Sequence, residues 1–122
     1  MGLGAHREIF VPVALYAELV ADEEVLPAFV TSISEQGLVL DSLAILGNRR
    51  SDRIQIQLTL PGEPDRLWVG AEVVRDTLGS LFNDTSIRFL AMANSHWRAV
   101  RRWVRVRELV LATRPVGVYD AA

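Results

Sequence analysis

Arg53-Ile54-Gln55-Ile56-Gln57-Leu58-Thr59-Leu60 alternates without a fault: Ile54, Ile56, Leu58 and Leu60 on one side of an extended chain, Gln55, Gln57 and Thr59 on the other. A period of two with one dry and one wet face is the mark of an antiparallel strand laid over a core. Downstream, Pro61-Gly62-Glu63-Pro64-Asp65 predicts a turn. Residues 67–75 then resume as a strand, with Leu67, Val69, Ala71 and Val73 on one face. Gly79 and Asn83-Asp84 are expected to bound the next connection, and residues 85–90 form a last short strand. Upstream, residues 47–52 are a polar loop.

The amino-terminal part carries the same signal. Over residues 7–20, Ile9, Val11, Val13, Leu15, Ala17 and Leu19 oppose Phe10, Pro12, Ala14, Tyr16 and Glu18. Pro12 has no N–H to give to a ladder, so this strand is expected at an edge or paired on one side only. Asp22-Glu23-Glu24 is a polar break. Residues 25–34 follow as a strand with Phe29, Thr31 and Ile33 facing one way and Val30, Ser32 and Ser34 the other. Glu35-Gln36-Gly37 predicts a tight turn in which Gly37 is free to adopt positive φ, and Leu38-Val39-Leu40 is the returning strand. Six strands on short turns predict a meander, closed into a barrel or packed as two sheets.

After residue 93 the period changes. Asn94 or Ser95 suits the cap of a helix beginning near His96. At 100° per residue Trp97, Val100, Trp103, Val104, Val110 and Leu111 gather on one side, and Arg98, Arg101, Arg102 and Arg105 on another. Arg107 falls in the apolar stripe, so either it snorkels or the helix frays before it. The two tryptophans of the stripe are expected to close the open end of the strand body.

Composition narrows the function classes. The chain has 122 residues, half of them apolar, enough for one closed core. One domain is expected over residues 1–113, with a loose tail over 114–122. There is no cysteine, which excludes disulfides, thiolate metal sites and cysteine nucleophiles. All thirteen basic residues are arginine, which removes lysine Schiff bases and phosphate loops built around lysine. The net charge of -2 hides a split. Residues 94–108 hold five arginines against one acid, and the rest holds eight against fourteen, so a +4 segment rides on a -6 body. That balance argues against general nucleic-acid binding. His6 and His96 have no partners at metal-ligand spacing, so no metal site is expected. No nucleophile–base pair, phosphate loop or carboxylate pair can be defended, and no catalytic residue is assigned. The longest apolar run, residues 9–17, is too short to span a bilayer and the amino terminus lacks a leader layout, so a cytoplasmic protein is expected.

The order of elements, all-β and then one helix, comes with three local spellings. Residues 6–10, His6-Arg7-Glu8-Ile9-Phe10, run into Val11-Pro12-Val13; Ser32-Ile33-Ser34-Glu35-Gln36-Gly37 spans the hairpin; Gly70-Ala71-Glu72-Val73-Val74-Arg75 is answered by Ile87-Arg88-Phe89. In this order they resemble the PilZ domain family, bacterial modules best known as cyclic di-GMP receptors. They fall in turn on the family's R-x-x-x-R, [D/N]-x-S-x-x-G, x-G-x-V-V-R and I-x-F motifs, and the resemblance runs from His6 to about Leu109. The resemblance implies a mainly β protein: a six-stranded antiparallel β-barrel with one C-terminal α-helix.

The resemblance also implies a ligand site, and here the sequence departs from it. In ligand-binding members the two motif arginines take phosphates and guanines of the dinucleotide; this chain has His6 and Phe10 there, with Arg7 the one guanidinium nearby. Ser32 stands where the family has an aspartate or asparagine, while Ser34 and Gly37 are kept. A charge-assisted hydrogen bond is worth about 1.5–3 kcal/mol, so losing two removes roughly two to four decades of affinity. The expectation is a retained fold without cofactor, in which cyclic di-GMP binding is lost or weak.

Each candidate has a plain reading beside the functional one. Arg7 pairs with a phosphate or is a solvated strand-end charge. Phe10 is a docking aromatic or packs under the helix. Ser32 and Ser34 project together toward a ligand or satisfy the turn backbone. Arg98, Arg101, Arg102 and Arg105 are a wet helix face or meet an acidic protein partner. The expected function is a non-enzymatic adaptor docking on motility, pilus or envelope machinery. The alternative is a receptor that still binds cyclic di-GMP or another nucleotide through Arg7, Ser32, Ser34 and an amide near Gly37. A single-strand nucleic-acid barrel would need a basic groove across the strands, where the charge is acidic.

Overall fold

Alternating apolar residues set up six strands, and a computed structural model, which describes residues 9–42, 51–78 and 83–113, shows how they close. In chain order they are β1 (Val11–Ala21), β2 (Glu24–Ile33), β3 (Gly37–Ser42), β4 (Arg53–Thr59), β5 (Arg66–Leu78) and β6 (Asn83–Ala91), followed by α1 (Asn94–Thr113). Every pairing is antiparallel, and the ring runs β1-β2-β3-β6-β5-β4 and back to β1. Closure gives the alternating chain an inside, filled by Leu19, Val30, Ile33, Leu38, Leu40, Ile56, Leu60, Leu67 and Val69. The barrel is the expected one of the two architectures.

Pro12 sits where a missing donor does least harm. It is opposite Ser32 of β2, whereas β1 meets β4 only over Ala17 to Val20. The strand begins at Val11, four residues later than its alternation suggests. The face assignments fail at one place. Val13 and Ala14 together oppose the single Thr31, and Thr31 is in turn the extra residue between Val30 and Ser32 against β3. These bulges turn Ile33 inward with Val30 and leave Phe29 outside, so Phe29, Thr31 and Ile33 do not share a face.

Two connections also differ from expectation. Asn83 and Asp84 are the first residues of β6, paired with Ser42 and Asp41 of β3 and with Leu78 and Thr77 of β5. Long neighbours on both sides override their turn preference. The polar break is a two-residue hairpin loop in which Asp22 (φ 50°) and Glu23 (φ 69°) are both left-handed, the geometry that matches strand twist. A side chain at φ > 0 costs about 1 kcal/mol, which glycine avoids. Glu23→Gly is therefore expected to stabilise the protein by roughly 0.5–1 kcal/mol, raising Tm by a few degrees in a thermal melt.

The helix closes one end. It starts at Asn94, two residues earlier than read, because the Ala93 carbonyl accepts from the N–H groups of His96 (2.9 Å) and Trp97 (3.0 Å). Ala99, Val100, Trp103 and Val104 are buried, and Trp97 packs on the core with its ring edge-on to Phe89 (6.1 Å, 74°). The Trp103 indole N–H donates to the Pro61 carbonyl (3.0 Å), and Arg107 lies over the Trp103 ring (4.6 Å), so it snorkels across its neighbour. The predicted stripe ends there: Val110 and Leu111 are exposed.

Candidate functional site

The turn after β2 is built by one hydroxyl. Ser34 is fully buried; its Oγ accepts from the N–H groups of Gln36 (3.1 Å) and Gly37 (3.0 Å) and donates to the Gly37 carbonyl (3.2 Å). The Ser34 N–H donates to the same carbonyl (2.8 Å), and the Phe89 N–H donates to the Gln36 carbonyl (2.8 Å). The hydroxyl is thus engaged in its own turn, the bland alternative for that residue. Ser32 lies half-buried within β2 while Ser34 lies past its end, so the two do not project together from one strand.

Gly37 is required for a reason other than the one expected. Its φ is not left-handed; Gly62 in the turn between β4 and β5 is the positive-φ glycine among the described residues. What Gly37 provides is close approach, because a Cβ there would stand 2.1 Å from the Ile87 carbonyl oxygen of β6. Phe10 is 39% exposed just before β1, beside Ile9, which borders a hollow with Arg105, Glu108 and Leu109 of the helix. His6 and Arg7 lie outside the described residues.

The helix arginines meet acids that the linear sequence does not put beside them. Arg101 Nε and Arg105 Nε reach the two oxygens of Glu35, at 3.4 and 3.3 Å, so one carboxylate on the serine turn bridges two guanidinium groups. Arg102 Nη2 pairs with Glu63 Oε1 at 2.9 Å on the turn between β4 and β5. Arg98 is exposed and has no ion pair among the described residues; with Asn94, Trp97 and Arg101 it borders a hollow of about 300 Å³. Such exposed pairs are worth about 0.2–1 kcal/mol each, so they orient the helix more than they hold it. Glu35 and Glu63 were not legible as partners, since their arginines come 39 to 70 residues later.

The structure therefore brings Ser34, Gly37, Glu35, Arg101 and Arg105 together at one end of the barrel. Chemically this is a positive surface whose most central anion is already supplied by the chain itself. His96, in the first helical turn, has a buried Nδ1 with no partner among the described residues, and no cluster there could hold a metal ion.

The family model for the PilZ domain matches residues 5–106. No curated protein matches the chain. The fold is similar to the inhibitor of motility MotI/DgrA of Bacillus subtilis, with a TM-score of 0.74 and 17% identity, over 89% of this chain and 52% of that one. It is similar to the PilZ domain of Escherichia coli YcgR with c-di-GMP, with a TM-score of 0.64 and 15% identity, over 87% and 93%. It is also similar to Borreliella burgdorferi PlzA in complex with c-di-GMP, with a TM-score of 0.67 and 15% identity, over 93% and 56%. The chain thus spans about half the length of the MotI and PlzA chains.

Proposed function

We propose, from the premise that this chain belongs to the PilZ domain family, that it is a non-catalytic regulatory adaptor working through protein–protein contacts. We place its partners in motility, pilus or envelope control, and the protein in the cytoplasm; no described helix is long and apolar enough to cross a membrane. One observation carries the reading. The serine turn that the family uses for a nucleotide is closed on itself, with the Ser34 hydroxyl spent on Gln36 and Gly37 and the Glu35 carboxylate beside it. That carboxylate already occupies the Nε groups of Arg101 and Arg105, for which a phosphate would have to compete. His6 and Phe10 at the motif positions add no guanidinium.

The helix face of Arg98, Arg101, Arg102 and Arg105 is the acidic-partner contact of this reading. A second reading has one observation in its favour: two arginines, Arg101 and Arg105, do stand at the serine turn, and displacing Glu35 would free both for a dinucleotide. Calorimetry with cyclic di-GMP separates them. The adaptor reading expects a Kd weaker than about 100 μM, near -5.5 kcal/mol. Binding at about 10 μM or tighter, abolished in the Arg101→Ala/Arg105→Ala variant, would establish the receptor instead.

A further inference from the structure

Three large aromatic side chains stand on the outside of the barrel, where a solvated sheet face has no use for them. Tyr16 is 54% exposed, Phe29 55% and Trp68 52%. Tyr16 and Phe29 are directly opposed on β1 and β2, their rings edge-to-face at 6.0 Å and 73°. Trp68 of β5 is opposite Gln57 of β4, which is opposite Glu18 of β1, which is opposite Pro27 of β2. Alternation puts Tyr16 and Glu18 on the same side of β1, so all these residues share one outer face. Two strand spacings separate Trp68 from β1, roughly 10 Å. The outer face therefore carries an aromatic pair on β1 and β2 and a third ring two strands away on β5.

Between the rings the face is polar and internally neutral. Arg66 pairs with Glu18 through Nη2, and its Nε–H donates to Gln57 Oε1 at 3.1 Å. The acid and the amide oxygen are both taken. The remaining Arg66 N–H groups and the Gln57 amide NH₂ have no acceptor among the described residues, so the face offers donors and asks for acceptors. Composition agrees with an interface, since Tyr, Trp, Phe and Arg are the residues that anchor protein contacts.

The occupant follows from size, charge and hydrogen bonding. Half of three aromatic surfaces is roughly 300–350 Å². That is well below the ~800 Å² per partner of a stable dimer, so the aromatic cluster by itself suits a short segment better than a second copy of this chain. Strand addition is closed off, because Glu18 and Gln57 sit in strands paired on both sides. With Arg66 and Glu18 compensating each other, a charged epitope gains nothing. A segment that presents carbonyls, few N–H groups and flat apolar rings meets every condition. Proline in an extended left-handed helix has those properties, with its backbone carbonyls free and its nitrogen without a hydrogen.

We propose that the Tyr16–Phe29–Trp68 face docks a proline-bearing extended segment of a partner protein, by aromatic contact and by donation from Arg66 and Gln57. The inference rests on the adaptor reading, to which it adds a second contact surface distinct from the arginine helix. The probe is a synthetic peptide of four Ala-Pro-Pro repeats, titrated into ¹⁵N-labelled full chain beside a Gly-Ser peptide of equal length and an Asp-rich one. Saturating shifts are expected at the Trp68 indole and at Gln57 and Tyr16 with the proline peptide alone. Trp68→Ala and Phe29→Ser should each weaken binding at least tenfold, while Arg101→Ala leaves it unchanged. No shift at 5 mM proline peptide, equal shifts with the Gly-Ser peptide, or concentration-dependent dimerisation through this face would each overturn the proposal. Those results leave the adaptor reading intact, because that reading fails on tight cyclic di-GMP binding, which this titration does not measure.

Discussion

Gly37→Ala is expected to destabilise the protein by about 3 kcal/mol or more, a large share of the 5–15 kcal/mol that typically separates folded from unfolded chains. The added methyl would begin 2.1 Å from the Ile87 carbonyl oxygen and within 3.3 Å of the Arg88 Cα. Both are backbone atoms of β6, so no side-chain rotation relieves the overlap. Either β3 and β6 part where Gly37 pairs with Arg88, or the serine turn shifts and its hydrogen bonds to Ser34 are lost. Both routes open the barrel seam at the end the helix covers. A thermal melt followed by circular dichroism should show Tm lowered by at least about 10 °C. A change of only a degree or two would mean that the seam is looser than described. Gly62→Ala, at positive φ but with open space around it, should cost only about 1 kcal/mol and serves as the control.

Trp103→Ala should cost about 3–5 kcal/mol, the range for deleting a buried aromatic ring. The ring fills the barrel mouth beside Val100 and Val104, its N–H is bonded to the Pro61 carbonyl, and Arg107 rests on its outer face. Its removal leaves a void, an unpaired carbonyl and an arginine without its platform. Trp103→Phe separates these, keeping most of the volume and losing the indole donor at about 1–2 kcal/mol. The measurement is denaturant unfolding of the three proteins side by side. Equal loss in the two variants would assign the effect to the hydrogen bond; the packing account requires alanine to be at least twice as costly.

What was legible in the sequence is what local periodicity encodes. Strand β4 was read nearly to the residue, because four aliphatic side chains alternate with Gln55, Gln57 and Thr59 and nothing interrupts them. The helix and its two core tryptophans were legible for the same reason, and the family motifs turned six strands into a barrel. Features that depend on a neighbouring strand were not. The bulges at Thr31 reverse the direction of Ile33, yet nothing in Phe29-Val30-Thr31-Ser32-Ile33 announces an extra residue. The left-handed loop at Asp22-Glu23 lacks the glycine that would have marked it. Gly37 was marked, but by its turn preference instead of by the Ile87 carbonyl. The candidate site was half legible: the serine turn and the arginine face were each visible, and their meeting through Glu35 was not, since it joins chain positions 70 residues apart. The aromatic face was hidden too, because Trp68 joins Tyr16 and Phe29 only when the ring of strands closes.

The double grip of Arg101 and Arg105 on Glu35 changes how an acidic protein would be received there. Glu35 already satisfies part of both guanidinium groups, so an incoming carboxylate gains less there than it would on two unpaired arginines. Added electrolyte screens both the resident pair and the arriving one. Such a surface favours brief, easily reversed encounters over durable capture.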